Sequence, residues 1–238
     1  MIEIENLSIG YKKGNRNHSA PLATGLNAAL RAGELTCLVG VNGVGKSTLL
    51  KTISGFVKPL EGEIRINDIE NGKWLSIANL TEVEKSRLLS VVLTERGEVS
   101  HLSAYDVVSF GRIPYSGLWG TLSDTDISII DNSFTKVGID HLKNRYFDEL
   151  SDGERQKVMV AKALAQETPM IILDEPSAFL DYPSKEELMD LLRYLAHSYN
   201  KAILLSSHDL DIIRRYADRY WIMEKNMGEA RLRTSPTY

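Results

Sequence analysis

The 238-residue chain has a single cysteine, Cys37, inside the apolar run Leu35–Val39. No disulfide framework can form within one chain, and this cysteine usage suits a reducing cytosol. No apolar run approaches the ~18 residues that a membrane-spanning helix needs. Met1-Ile2-Glu3-Ile4-Glu5 lacks the basic start and apolar stretch of a signal peptide. The expectation is a soluble protein that reaches any membrane through a partner. Excess positive charge is also missing: the formal net charge is −4, so no global basic surface argues for nucleic acid. There is no long low-complexity tract and no internal repeat. What is present is 43% hydrophobic residues, enough to bury the core of one large α/β domain.

Along the chain, Ile2, Ile4, Leu7 and Ile9 alternate loosely and predict an opening strand. Residues 12–19 read as a polar loop. Leu35–Val39, Met170–Leu173 and Ala202 to Leu205 are short apolar runs of the kind that form buried strands, and Gly62 to Asn67 is a short alternating one. Helices are expected from Ser47 to about Ser54 and from Leu150 to Glu167, stopped by Thr168-Pro169. Leu188, Leu191, Leu192 and Leu195 mark one face of another. Residues 70–145 are more polar and helical in places. Apolar strands alternating with helices imply a largely parallel sheet covered on both faces, with the middle segment inserted as helices.

Gly40-Val41-Asn42-Gly43-Val44-Gly45-Lys46-Ser47 fits the phosphate-loop pattern at every fixed position, between an apolar strand and a helix, and Thr48 continues into that helix. Backbone amides must approach phosphate oxygens closely, and side chains in place of the glycines would block them. The helix adds its positive N-terminal end. Lys46 is expected to reach the β- and γ-phosphates, and Ser47 to place its hydroxyl on Mg²⁺. The loop says nucleoside triphosphate without separating ATPase, kinase and GTPase. Asp174 and Glu175 end the strand Met170–Leu173, where open α/β sheets bind ligands. Asp174 would hold Mg²⁺ through its water shell, and Glu175 would orient or deprotonate the attacking water. That pair favours hydrolysis over transfer to a second substrate.

Leu150-Ser151-Asp152-Gly153-Glu154 precedes a helix, and Ser151 with Glu154 makes a capping box. Lying between a phosphate loop and an Asp-Glu strand end, it resembles the signature of the ATP-binding cassette family, usually written LSGGQ. The resemblance covers nearly the whole chain. It implies a P-loop NTPase cassette of the α/β class: a mainly parallel core sheet, an N-terminal antiparallel β part and a helical subdomain insertion. The whole of 1–238 would be a single domain, with core about 1–93 and 151–225 and helical subdomain about 94–150. By the same resemblance Tyr11 stacks on adenine, Ser177 to Asp181 crosses to a partner subunit, and His208 contacts the γ-phosphate. Ser151 and Gly153 would face the ATP held by the other chain of a head-to-tail dimer. ATP and Mg²⁺ are the implied cofactors, and a second copy of the chain is the implied partner.

Three features depart from the family pattern. Asp152 stands in place of the second glycine, and Glu154 in place of glutamine; both carboxylates are expected to turn away from nucleotide toward the helix N-terminus. Thr94, followed by Glu95, falls at the position of the family's loop glutamine. The tail from Ala230 is expected to be short, altered or disordered. The stretch Leu102 to Tyr115, with Gly111-Arg112-Ile113-Pro114-Tyr115, resembles importer ATPases for iron-siderophore, haem and cobalamin. This implies two transmembrane permease subunits, a substrate-binding protein upstream, no nucleic acid, and a cytoplasmic location on the inner face of the cell membrane. The alternatives are a soluble cassette ATPase acting on another macromolecule, a cassette for a different cargo, or, less compatible with Glu175 and the signature, a small-molecule P-loop kinase.

Overall fold

The computed structural model describes residues 1–12, 19–68, 72–93, 101–117, 120–226 and 229–235. Thr94, Glu95 and most of the expected polar loop at 12–19 lie outside them. In chain order the elements are β1 (Ile2–Lys12), β2 (Ser19–Leu30), β3 (Leu35–Val39), α1 (Lys46–Ile53), β4 (Glu61–Asp68), β5 (Lys73–Ser76), α2 (Glu82–Leu88), β6 (Leu89–Val92), α3 (Ala104–Ser109), α4 (Asp124–Val137), α5 (Asp152–Ala165), β7 (Met170–Leu173), α6 (Tyr182–Ser198), β8 (Ala202–Ser207), α7 (Leu210–Tyr216), β9 (Arg219–Asn226) and β10 (Glu229–Ser235). Among the described residues no helix is long and apolar enough to cross a membrane.

The strands form one sheet in the order β5-β4-β1-β2-β10-β9-β3-β8-β7-β6. From β9 to β6 every pairing is parallel. The β1–β2, β1–β4 and β4–β5 pairings are antiparallel. The mainly parallel core and the antiparallel part are thus two halves of one surface. Strands β3, β7 and β8 are buried along their whole length because both faces are covered. Side chains alternate between the faces. Leu35, Cys37, Val39, Ile171, Leu173, Ile203 and Leu205 join the cluster under α3 to α7, while Leu38, Ile172 and Leu204 join the cluster under α1 and the antiparallel half. Cys37 is fully buried, and desolvation, with Asp218 nearby, pushes its thiol well above the usual range.

The loose alternation of β1 has a cause. Ile2 and Ile4 face the core from even positions, Leu7 and Ile9 from odd ones, and the ladder with β2 shifts register between Ile4 and Leu7. Asn6 takes the extra place with φ 47°, its N–H donating to Asn27 Oδ1 at 3.0 Å. Gly62 of β4 passes this bulge so closely that a Cβ would lie 2.3 Å from the Asn6 carbonyl oxygen.

Two strand expectations need correction. Lys12 and Ser19, read as ends of a loop, belong to β1 and β2. The tail is ordered through Ser235: β10 pairs antiparallel with β9 from Glu229 to Ser235 and meets β2 at Ala230. Buried Ala230 and partly buried Leu232 alternate with Arg231 and Arg233, a half-buried strand pattern.

The segment after α3 is a buried polar node. A Cβ on Gly111 would stand 2.4 Å from the Lys162 carbonyl oxygen, so only glycine allows this approach to α5. Arg112 is 4% exposed; its Nε donates to Asp126 Oδ1 of α4 at 2.8 Å, and its Nη1 to the Ala165 carbonyl at 2.8 Å and to Glu167 at 2.9 Å. The Tyr115 ring lies 4.1 Å from the guanidinium carbon. The Ser123 hydroxyl and N–H, with Arg112, hold the Asp126 carboxyl down to about 2.

Replacing Arg112 with alanine removes one of the donors to the Asp126 carboxylate, which keeps its two Ser123 bonds, and takes the Arg112 donor from the Ala165 carbonyl; it should cost about 1–3 kcal/mol in urea unfolding. Asp126 should stabilise the fold fully above its ordinary value of 3.8 and progressively less as pH falls toward about 2. Asp126→Asn should flatten that part of the stability–pH curve.

Candidate functional site

Three strand ends build the site. Beyond β3 the chain turns through 40–45 and enters α1 at Lys46. Gly40 is required by the neighbouring strand rather than by a ligand: a Cβ there would lie 2.6 Å from the Met223 carbonyl oxygen of β9. Gly43 and Gly45 have φ of 77° and 114°, left-handed values that other residues resist. Among the described residues nothing crowds Gly43. Gly45 caps α1 without a side-chain bond, and the first intrahelical bond runs from the Leu49 N–H to the Gly45 carbonyl at 2.8 Å. The amides before Leu49 therefore have no intrahelical acceptor, which suits an anion.

An open cleft of about 530 Å³ lies over this loop, lined by Leu22, Asn42, Gly43, Gly45, Lys46, Ser47, Thr48, Lys51, Asp174 and Glu175. Lys46 is 5% exposed; its Nζ donates to the Gly40 carbonyl at 2.8 Å and lies 3.6 Å from Glu175 Oε1. A buried ammonium beside a glycine loop, with a hydroxyl and two carboxylates across the cleft, is a donor set that fits a triphosphate with its Mg²⁺.

Asp174 and Glu175 follow β7, and both are fixed by one side chain. Ser206 of β8, fully buried, donates from Oγ to Asp174 Oδ1 at 2.7 Å and accepts the Glu175 N–H at 2.8 Å. The Asp174 N–H donates to the Val92 carbonyl of β6 at 2.9 Å. Glu175 itself has φ 44°, a strained value for a non-glycine residue. His208, just after β8, is half-exposed with Nδ1 3.8 Å from Glu175 Oε1.

Of the residues predicted from sequence, Asn42, Gly43, Gly45, Lys46, Ser47, Thr48, Asp174 and Glu175 share the cleft wall. Val41 is exposed, and Val44 is buried in the core, so each could offer only its backbone to this cleft. Tyr11 is exposed at the end of β1, opposite Ala20, and does not line the cleft. Leu22, Lys51 and Ser206 were not singled out. Lys51 is legible afterwards, one helical turn beyond Ser47. Leu22 lies on a strand that sequence analysis did not find.

Ser151 and Gly153 also lie off the cleft, at the start of α5. Ser151 caps the helix, and its N–H and hydroxyl both donate to Glu154 Oε2 at 2.8 Å. Asp152 faces Arg155 at 3.7 Å, and Arg145 lies 3.4 Å from Glu154. A Cβ on Gly153 would meet only Ser184 Oγ and Cβ, at 3.4 and 3.6 Å, an ordinary contact. Asp181 caps α6 by accepting the Ser184 N–H at 3.1 Å, while Ser177 is buried and Phe179 exposed.

Comparison with known proteins agrees with this geometry. The family profile described as ABC transporter matches residues 23–178. An uncharacterized ABC transporter ATP-binding protein of Methanocaldococcus jannaschii is 42% identical over 226 residues, 95% of this chain and 74% of the relative. The iron(3+)-hydroxamate import ATP-binding protein of Bacillus subtilis is 34% identical over 217 residues, 91% of this chain and 76% of the relative. Among solved structures, a dimeric post-hydrolysis cassette bound to ADP and Pi superposes with a TM-score of 0.78 at 25% identity, covering 99% of this chain and 98% of that one. With a phosphate loop, an Asp-Glu strand end and a capped signature helix in one cassette, the chain belongs to the ABC transporter family, as an ATP-binding and ATP-hydrolysing subunit.

Proposed function

We propose that this chain powers an importer of metal chelates (iron-siderophore, haem or cobalamin) by closing with a second copy of itself around ATP and reopening after hydrolysis. The observation that carries the trans arrangement is the Ser151–Gly153 segment: it lies off the cleft, and no packing among the described residues requires glycine at 153. A glycine without an internal reason leaves room for something outside the chain. Asp152 and Glu154, engaged with Arg155 and Ser151, offer no obstacle there at rest.

At each site, amides of the loop and of the first turn of α1 would cradle the phosphates in the cleft, while Tyr11, exposed outside the cleft wall, would stack on adenine. Lys46 would exchange the Gly40 carbonyl for β- and γ-phosphate oxygens. Ser47 and Asp174 would hold Mg²⁺, which when bound neutralises charge on the phosphates. Glu175 would take the proton of the attacking water, with His208 beside it to contact the γ-phosphate. Ser206 keeps Asp174 and Glu175 in register. From the other chain, Ser151 and Gly153 would add a hydroxyl and an amide to the developing charge. The segment of about 94–150, with α3 and α4, would be the helical subdomain that docks two permease subunits at the cytoplasmic face of the membrane, a substrate-binding protein serving them from outside. The metal-chelate cargo is supported by Gly111 to Tyr115 and by the iron(3+)-hydroxamate relative.

Glu175→Gln should shift from monomer to dimer in light scattering when Mg-ATP is added; dimer without nucleotide, or monomer at saturating Mg-ATP, would contradict the reading. Ser206→Ala removes the acceptor of the Glu175 amide and the partner of Asp174. ATP turnover should fall by about 10-fold or more, and the Mg²⁺ concentration for half-maximal rate should rise. Reconstituted with its permeases, the native protein should drive ATP-dependent uptake of a ferric siderophore, haem or cobalamin; uptake of a phosphonate instead would overturn the cargo assignment.

A further inference from the structure

Ser151 gives both of its donors to one oxygen. Its N–H and its hydroxyl each lie 2.8 Å from Glu154 Oε2, while the Glu154 N–H returns a bond to Ser151 Oγ at 3.3 Å. A serine hydroxyl has one proton. It can serve Glu154 or another anion, not both at once. The returned bond is different: there Oγ accepts, so it can persist and hold Oγ in place. These two donors hold the Glu154 carboxyl below its usual range, so the competitor is a full negative charge at neutral pH.

The carboxylate also has somewhere to go. Arg145 Nη1 lies 3.4 Å from Glu154 Oε1, and Arg145 is itself steadied by a bond from Nη2 to the Glu149 carbonyl at 3.2 Å. Glu154 therefore sits between the two neutral donors of Ser151 and the guanidinium of Arg145. Release from Ser151 leaves it paired with Arg145 rather than stranded.

We propose that Glu154 is a competing acceptor for the Ser151 donors, which the γ-phosphate on the partner subunit must displace, and that this competition sets the ATP concentration at which two subunits close. The inference rests on the reading of Ser151 as a donor in trans. A glutamine would keep the capping box but present a neutral oxygen. Charge-assisted hydrogen bonds are roughly twice as strong as neutral ones, so glutamate raises the threshold for closure.

The test uses the full chain carrying Glu175→Gln, titrated with Mg-ATP and followed by light scattering. Adding Glu154→Gln should lower the half-maximal ATP for dimerisation by about 3–10-fold, with melting temperature near that of the parent. Adding Asp152→Asn instead, which removes an equal charge next to Ser151, should shift it less than about 2-fold. An unchanged or raised midpoint with Glu154→Gln overturns the inference. An equal fall with Asp152→Asn also overturns it, because general charge repulsion would then be the cause. A Glu175→Gln parent that never dimerises refutes the trans reading itself, and this inference with it. A parent that dimerises while Glu154→Gln changes nothing refutes this inference alone.

Discussion

The register of the parallel ladder β3–β8–β7 is the constraint on which the site depends. Val39 pairs with Ser207, and Leu173 with Leu205, so three strands end along one edge. The phosphate loop, the Asp174-Glu175 pair and His208 each begin where one of those strands stops. A one-residue slip would turn Ser206 away from Asp174 and carry apolar side chains to the wrong face. Burial on both faces prevents that slip. The same hydrophobic packing that holds the sheet together therefore sets the distances of a few ångströms between the side chains at that edge.

Ser206 shows how closely core and chemistry are joined. It lies beside Ser207 at the end of the apolar run of β8 and is fully buried, yet both sides of its hydroxyl are satisfied. A buried hydroxyl with two partners is stable where one with none would not be. Its two partners are consecutive residues, which ties the strained backbone of Glu175 to the carboxylate of Asp174. Lys46 is treated similarly at the opposite wall: its ammonium is buried, and the Gly40 carbonyl accepts from it.

Much of this was legible in the sequence for reasons specific to each element. Met170–Leu173 and 202–205 read as buried strands because a doubly covered parallel strand is apolar over most of its length; β8 runs two serines further, to Ser207. The phosphate loop read directly because its glycines are fixed by geometry, although Gly40 turned out to answer to Met223 of β9. β2 was missed because its alanines, Gly25 and Pro21 carry little strand propensity, and only its pairing with β1 makes it a strand. Leu22 was lost with it. Ser206 was passed over because the side-chain period of a strand says which face a residue takes, not which atom it meets. The ordering of the tail was mistaken, since its alternation of Ala230 and Leu232 with arginines needs β9 as a partner to become a strand.

The central claim is that each ATP site is finished by a second chain. Disulfide capture between a chain bearing Glu175→Gln with Asn42→Cys and one bearing Glu175→Gln with Asp152→Cys tests it most directly. Asn42 lines the cleft and Asp152 follows Ser151, while native Cys37 is fully buried and silent. Mixed chains should cross-link with Mg-ATP and not without it. Absence of a cross-link at saturating Mg-ATP, or one that forms equally without nucleotide, would contradict the account.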